Sequence, residues 1–323
     1  MRKTFVVPVA LVAVLAIVFL LGPRADRDTT VTFDASAIGA DLEAYLASAE
    51  ASEPTLIPEL AKEIIWADPG TKAKTPLAFV YVHGFSASKG EVRPLPDLVA
   101  AAFDANLFYT RLEGHGAAPE AMAKASPSAW MNDLAEALAI GRLIGDEVVV
   151  IATSTGGGLT TIAASRPELT ERVRALVFLS PNFGPKAFGS SLLTAPWGRQ
   201  LSDLFTGGER GFHPPNETVA RYWTERYPTS ATLTMAAVTE EAVATRVEDI
   251  RIPAIFFISD NDRTVRPEVT RSVAERWGGP HELVVVTTAE DPGQHVIAGD
   301  ALSPGGTAPT VKKIVEWLSA LPR

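Results

Sequence analysis

The sequence predicts an open α/β fold: a mostly parallel sheet with helices on both faces and a helical cap inserted between two strands. Three observations carry that expectation. Short uninterrupted apolar runs, the pattern of strands buried on both faces, alternate with amphipathic helical stretches from about residue 76 onward. Apolar residues make up 46% and charged residues 21% of the 323, which suits a chain that buries one large core. One connection, residues 182–250, is far longer than a single crossover helix needs and implies an inserted subdomain. The expected organisation is an N-terminal segment (1–28), a core (29–181 with 251–323) and the cap (182–250).

The chain begins with an apolar run from Phe5 to Leu21, behind Arg2 and Lys3 and ahead of Gly22, Pro23 and Arg24. Such a run is an export signal or a single membrane anchor. It exceeds the roughly 7–15 residues of a signal core and sits at the short end of the roughly 17–25 that span a bilayer. The flank GPRADRD offers no good small-x-small cleavage site, which favours an anchor. Either reading expects the body of the chain outside the cytoplasm, tethered to the membrane or, if cleaved, secreted or periplasmic.

A mixed stretch follows, with a helical pattern in DLEAYLASAEA and a short strand in KEIIWAD. The predicted core strands are 76–82, 106–111, 147–152, 174–179, 253–258 and 282–288. Helical periods lie near 92–104, 128–143, 156–165, 265–277 and 309–320. Within the long connection, Asn216 caps NETVARYWTERY, where Val219, Trp223 and Tyr227 recur every four residues on one helical face. That stripe is either core packing or the underside of a lid, joined in the second case by Phe183, Phe188, Trp197 and Phe212 to form a substrate pocket. The net charge of −9 argues against nucleic acid as a partner, and the absence of cysteine excludes disulfides, thiolate metal sites and a cysteine nucleophile.

Ligands of an open parallel sheet bind beyond the carboxyl ends of its strands, so the residues just after each strand carry the chemistry. The strand at 147–152 runs into Ala152, Thr153, Ser154, Thr155 and Gly156, a small-x-Ser-x-small frame. In that frame a strand turns so sharply into a helix that the central side chain is strained and exposed, while its neighbours two away must be small. Ser154 is therefore the candidate nucleophile. Thr155 fits the crowded turn less well because it is β-branched. A phosphate loop is excluded by Leu159, where a lysine belongs.

A serine needs a base, and the base needs an acid to orient it. On a sheet of this kind the order along the chain is serine, acid, histidine. His295, in EDPGQHVIAGD after the last strand, stands where the base belongs; His83, His115 and His213 precede any suitable acid, and His281 opens a strand. The acid comes from SDNDRTVRP: Asp262 is preferred and Asp260 held in reserve. Two backbone donors for the oxyanion are expected from Thr155 and, in HGF after the strand at 76–82, from Phe85. His83 braces that turn, and His115 in RLEGHG does the same in the next loop.

With YVHGFSASKGEVRPLPDL, RLEGHG, ATSTGG, SDNDRTVRP and GQHV in this order from about residue 76 to the end, the chain resembles the α/β-hydrolase superfamily. It is most similar to the serine carboxylesterase and monoacylglycerol lipase branch. The resemblance implies the α/β-hydrolase fold, Ser154, Asp262 and His295 as the triad, Phe85 and Thr155 as oxyanion donors, and residues near 182–250 as the cap; the lid reading of the aromatic stripe makes Trp197 and Trp223 the expected substrate contacts. It departs from the family at Ala152 and Ser259, where glycine is usual; both replacements are small. The implied reaction is hydrolysis of a small or lipid ester with an apolar acyl group, through an acyl-enzyme and without metal or organic cofactor. Alternatives are an aminopeptidase, with Glu217, Glu225, Glu240 or Glu241 holding a substrate amine, a peroxidase of the same fold, or a non-catalytic ligand receptor.

Overall fold

The computed structural model describes residues 6–287 and 289–322. Along the chain lie α1 (Val6–Leu20), α2 (Leu42–Glu50), β1 (Glu63–Ile65), β2 (Thr75–Val82), α3 (Leu95–Ala102), β3 (Asn106–Tyr109), α4 (Pro127–Ile144), β4 (Gly145–Thr153), α5 (Thr155–Ala164) and β5 (Val173–Leu179). Then follow α6 (Gly198–Thr206), β6 (Glu209–Gly211), α7 (Glu217–Tyr222), β7 (Arg226–Pro228), α8 (Thr229–Ala244), β8 (Ala254–Ile258), α9 (Pro267–Glu275), β9 (His281–Val285) and α10 (Pro304–Ala320).

Seven strands form one sheet in the order β1-β3-β2-β4-β5-β8-β9, parallel except for the antiparallel edge strand β1. The apolar runs become its centre because each is buried on both faces: Val148 to Ala152 of β4 and Ala175 to Leu179 of β5 are at most 1% exposed. Removing each such valine or leucine from water stabilises the fold by roughly 1.5–3 kcal/mol. Two core clusters result, one on each side. The first packs α4 and α5 residues such as Trp130, Leu138 and Ile162 on the sheet; the second packs Leu95, Val99, Ile314 and Leu318 of α3 and α10.

Register positions the functional rim. Val82 pairs with Ala152, and Thr153 with Leu179, so the turn after β2 and the residue after β4 emerge side by side. The sheet grows from β2 toward β3 on one side and toward β4 on the other, and ligand crevices form at such a reversal.

Three sequence expectations need correction. The helix at 216–227 stops at Tyr222: Ser88 Oγ donates to the Tyr222 carbonyl (2.8 Å), the Thr224 N–H donates to Ser86 O (2.7 Å), and Tyr227 sits on β7 opposite Arg210. The C-terminal helix starts five residues before 309, because Pro304 occupies its first turn, where a missing N–H costs nothing. The last strand ends at Val285, and Thr288, the end of the predicted run, lies outside the described residues.

The predicted N-terminal anchor falls partly on residues 1–5, also outside them. Its described part, α1, is 15 residues long, a rise of roughly 22 Å against a hydrocarbon core of about 30 Å. No helix among the described residues is long and apolar enough to cross a membrane. Leu15, Phe19, Leu20 and Leu21 are exposed.

Candidate active site

The strand-to-helix turn at Ser154 is as sharp as the motif demands. Ser154 adopts φ 49° and ψ −116°, a conformation that a side chain tolerates only when its surroundings impose it. Those surroundings are the Ser154 N–H donating to Leu179 O (3.1 Å) and the Asn182 N–H donating to Ser154 O (2.8 Å). Gly156 lets α5 lie against β2: a Cβ there would stand 2.4 Å from Val82 O and 2.7 Å from His83 O.

His295 reaches the same rim from the loop after β9. It is buried, and its Nδ1 donates to Asp262 Oδ2 at 2.7 Å. That bond fixes the tautomer and leaves Nε2 as the proton acceptor. Asp262 is itself held by the Thr264 N–H (2.7 Å) and Val265 N–H (2.9 Å) on Oδ1. Asp260, the reserve acid, is exposed and paired with Arg271. Burial pulls the His295 pKa down, but the charge and hydrogen bond of Asp262, with Glu91 and Asp291 adding their charges, outweigh it and place the imidazole above its ordinary value.

Ser154, His295, Phe85 and Thr155 all line one cavity of about 580 Å³. No hydrogen bond joins Ser154 to His295 among the described residues; in a free site that contact commonly tightens only around substrate. Neither the Phe85 nor the Thr155 N–H has a partner among the described residues, so both are available as donors. His83 holds the Phe85 turn, with Nδ1 donating to Gly84 O (2.8 Å) and Nε2 accepting from the Leu112 N–H (3.1 Å). Burial lowers its pKa to about 4, so it stays a neutral brace. His115 Nε2 likewise accepts from the Ser86 N–H (3.0 Å).

The roof of the cavity comes from residues between β5 and β8, among them Phe188, Phe212, Val219, Trp223 and Tyr227. Trp197 is not there. Its indole N–H donates to Val18 O (3.1 Å) and its main-chain N–H to Pro23 O (2.8 Å), which turns the ring onto the N-terminal segment. Phe183 is buried in the core under the sheet. Arg210 and His213 also line the cavity, and none of Glu217, Glu225, Glu240 or Glu241 does.

A profile of the alpha/beta hydrolase family matches residues 79–302, which span the Phe85 turn, the Ser154 turn, Asp262 and His295. The chain belongs to the alpha/beta hydrolase family. The hydrolase is 27% identical over 204 residues to the thermostable monoacylglycerol lipase of Bacillus sp. (strain H-257), covering 62% of this chain and 76% of that relative. Its fold is similar to that solved for the metagenome-derived lipolytic enzymes LipS and LipT (TM-score 0.67, 19% identity, 82% of this chain and 100% of that one). It is also similar to the monoacylglycerol lipase of Paleococcus ferrophilus (TM-score 0.59, 17% identity, 80% and 98%).

Two carboxyl groups that sequence reasoning passed over line the hydrolase's cavity, Asp291 and Glu91. Asp291 organises the histidine loop: its Oδ2 accepts the His295 (2.8 Å) and Val296 (3.0 Å) N–H groups and its Oδ1 that of Gly293 (3.0 Å). The signal was present in DPGQH, since an aspartate before Pro-Gly commonly bonds the backbone two residues on. Glu91 lies in the stretch GEVRPL, where nothing local announces it.

Proposed function

We propose that this hydrolase cleaves carboxylic esters of small-molecule or lipid type with an apolar acyl group, through an acyl-enzyme on Ser154. The observation that carries the reading is the Asp262–His295 hydrogen bond at 2.7 Å beside a cavity that also holds the strained Ser154 and two unpaired backbone donors. The relatives named for monoacylglycerol and lipolytic activity support an ester as the substrate.

In the proposed reaction His295 Nε2 takes the Ser154 proton as Oγ attacks the carbonyl carbon. The oxyanion rests on the Phe85 and Thr155 N–H groups. His295 then gives its proton to the leaving alcohol, and water, activated by the same imidazole, releases the acid. Residues 182–250 act as the cap, with Trp223 over the acyl group. The apolar run at residues 5–21 supports export, with the catalytic body outside the cytoplasm. The mass of the mature N-terminus tests that part.

Hydrolysis of p-nitrophenyl esters of graded chain length, by the wild type and by Ser154→Ala, tests the activity. Turnover that vanishes in the variant supports the reading; equal turnover in both, or amino-acid amides cleaved in preference to every ester, overturns it.

A further inference from the structure

Arg210, on β6, lines the cavity that holds Ser154 and His295, and its guanidinium has no hydrogen-bond or ion-pair partner among the described residues. The other four arginines between residues 182 and 250, Arg199, Arg221, Arg226 and Arg246, each stand against a carboxylate. The arginine at the cavity is the exception.

The β6–β7 hairpin makes it so. Arg210 pairs with Tyr227, while Glu209 pairs with Pro228 and Gly211 with Arg226. Opposed residues share a face and successive ones alternate, so Arg210 and Tyr227 stand on one face and Glu209 and Arg226 on the other. Glu209 therefore closes on Arg226, whose Nη2 donates to its Oε2 at 3.0 Å, and the acid next to Arg210 in sequence is turned away from it. Phe212, two residues along from Arg210, also lines the cavity, and Tyr227 meets Phe85 edge to face with ring centroids 5.0 Å apart. Arg210 is thus one aromatic ring away from the turn that carries the proposed oxyanion donor. Burial raises the Tyr227 pKa, and the Arg210 charge beside it pulls the other way.

The carboxyl groups of the cavity leave that charge unanswered. Glu91 accepts from the Tyr81 hydroxyl and the Gly84 N–H, Asp291 accepts from the N–H groups of its own loop, and neither forms an ion pair with Arg210. A guanidinium meets phosphate or carboxylate through two parallel N–H···O bonds, a geometry that makes it selective for such anions. The acyl group proposed above is apolar, which leaves the alcohol half to carry the anion. We propose that Arg210 selects esters whose alcohol bears a phosphate or carboxylate, so that the hydrolase releases an apolar acid and an anionic alcohol; this rests on the ester hydrolysis proposed above.

The test compares kcat/KM for octanoyl esters matched except for charge on the alcohol: octanoylglycerol phosphate against octanoylglycerol, and octanoyloxybenzoate against its methyl ester. The wild type should prefer the charged member of at least one pair by about tenfold or more, the phosphate pair alone marking a phosphate and both pairs an anion of either kind. Arg210→Gln should lower that preference about tenfold to a hundredfold, Arg210→Lys should keep part of it, and Arg210→Glu should reverse it. Added salt should weaken the wild-type preference without any variant. No preference in either pair, a preference that survives Arg210→Gln, or an equal loss on charged and neutral esters overturns the proposal. If none of the four esters is cleaved, the ester reading itself fails, and binding of octyl phosphate against octanol, read by tryptophan fluorescence, decides for Arg210 alone: tighter binding of the phosphate that Arg210→Gln abolishes supports its role, and equal binding of the two refutes it.

Discussion

Replacing Gly156 by alanine should disable the proposed site while leaving the side chains of Ser154, Asp262 and His295 in place. The added Cβ would stand 2.4 Å from Val82 O, 2.7 Å from His83 O and 2.9 Å from Val82 C, all of them main-chain atoms. An ordinary carbon–oxygen contact needs about 3.3 Å, so the end of β2 or the start of α5 must yield by roughly 1 Å. Val82 and His83 lead directly into Gly84 and Phe85, so the yielding part carries the proposed oxyanion donor Phe85. A misplacement of that size costs about a hundredfold in kcat, and the overpacking costs about 1–3 kcal/mol of stability. Gly158→Ala is the control two residues on, where the nearest atoms are 3.5 and 3.6 Å from the new Cβ. It should be stabilised by up to about 1 kcal/mol through helix propensity, with activity within about twofold. Initial rates on a p-nitrophenyl ester and urea unfolding midpoints measure both variants. Equal activity in the two would refute the close-packing argument.

Asp262→Asn should lower kcat/KM on the order of a thousandfold or more, and its residual acid limb should move to lower pH, because the carboxylate that raises the His295 pKa is gone. In the wild type His295 must be neutral to accept the serine proton, so activity should rise with pH through a value above 6.5; Asp260→Asn should match the wild type throughout. Asp291→Ala strands three loop N–H groups and should lower kcat about ten- to a hundredfold, with thermal stability reduced by about 1–3 kcal/mol; kcat at the wild-type level would contradict its role. His83, neutral in the fold with a pKa of about 4 against 6.5 unfolded, binds fewer protons folded than unfolded, so its stabilisation is present above 6.5 and is lost as pH falls toward 4. The loss amounts to about 3 kcal/mol, and the stability difference between the wild type and His83→Gln should shrink by about that much across the window; a constant difference would contradict it.

The core was legible because its strands are continuous β-branched and aromatic runs that no amphipathic helix imitates, and because the candidate serine, acid and histidine follow the ends of β4, β8 and β9 in that order. The cap was less so. A four-residue spacing of Val219, Trp223 and Tyr227 fits a helix, yet the contacts of Tyr222 and Thr224 with the Ser86–Ser88 turn end it, and a strand carries Tyr227 to the same cavity. The tryptophan at 197 looked like a pocket wall by type alone; its position depends on the N-terminal segment, 174 or more residues away in sequence, which supplies the carbonyls of Val18 and Pro23. The same limit hid Glu91, whose carboxyl group takes hydrogen bonds from the Tyr81 hydroxyl and the Gly84 N–H only once the strand and the turn after it are folded together. Composition and spacing report which elements form and which side chains follow them. They do not report which distant backbone groups a side chain will meet.

In the proposed mechanism His295 makes Ser154 nucleophilic. Mass spectrometry of the intact protein and its peptides, after timed exposure to a fluorophosphonate, tests it most directly. A single adduct on Ser154 is expected in the wild type, with labelling slowed by at least about a thousandfold in a folded His295→Ala variant. An adduct on another residue, or a Ser154 adduct that forms as fast without the imidazole, would contradict it.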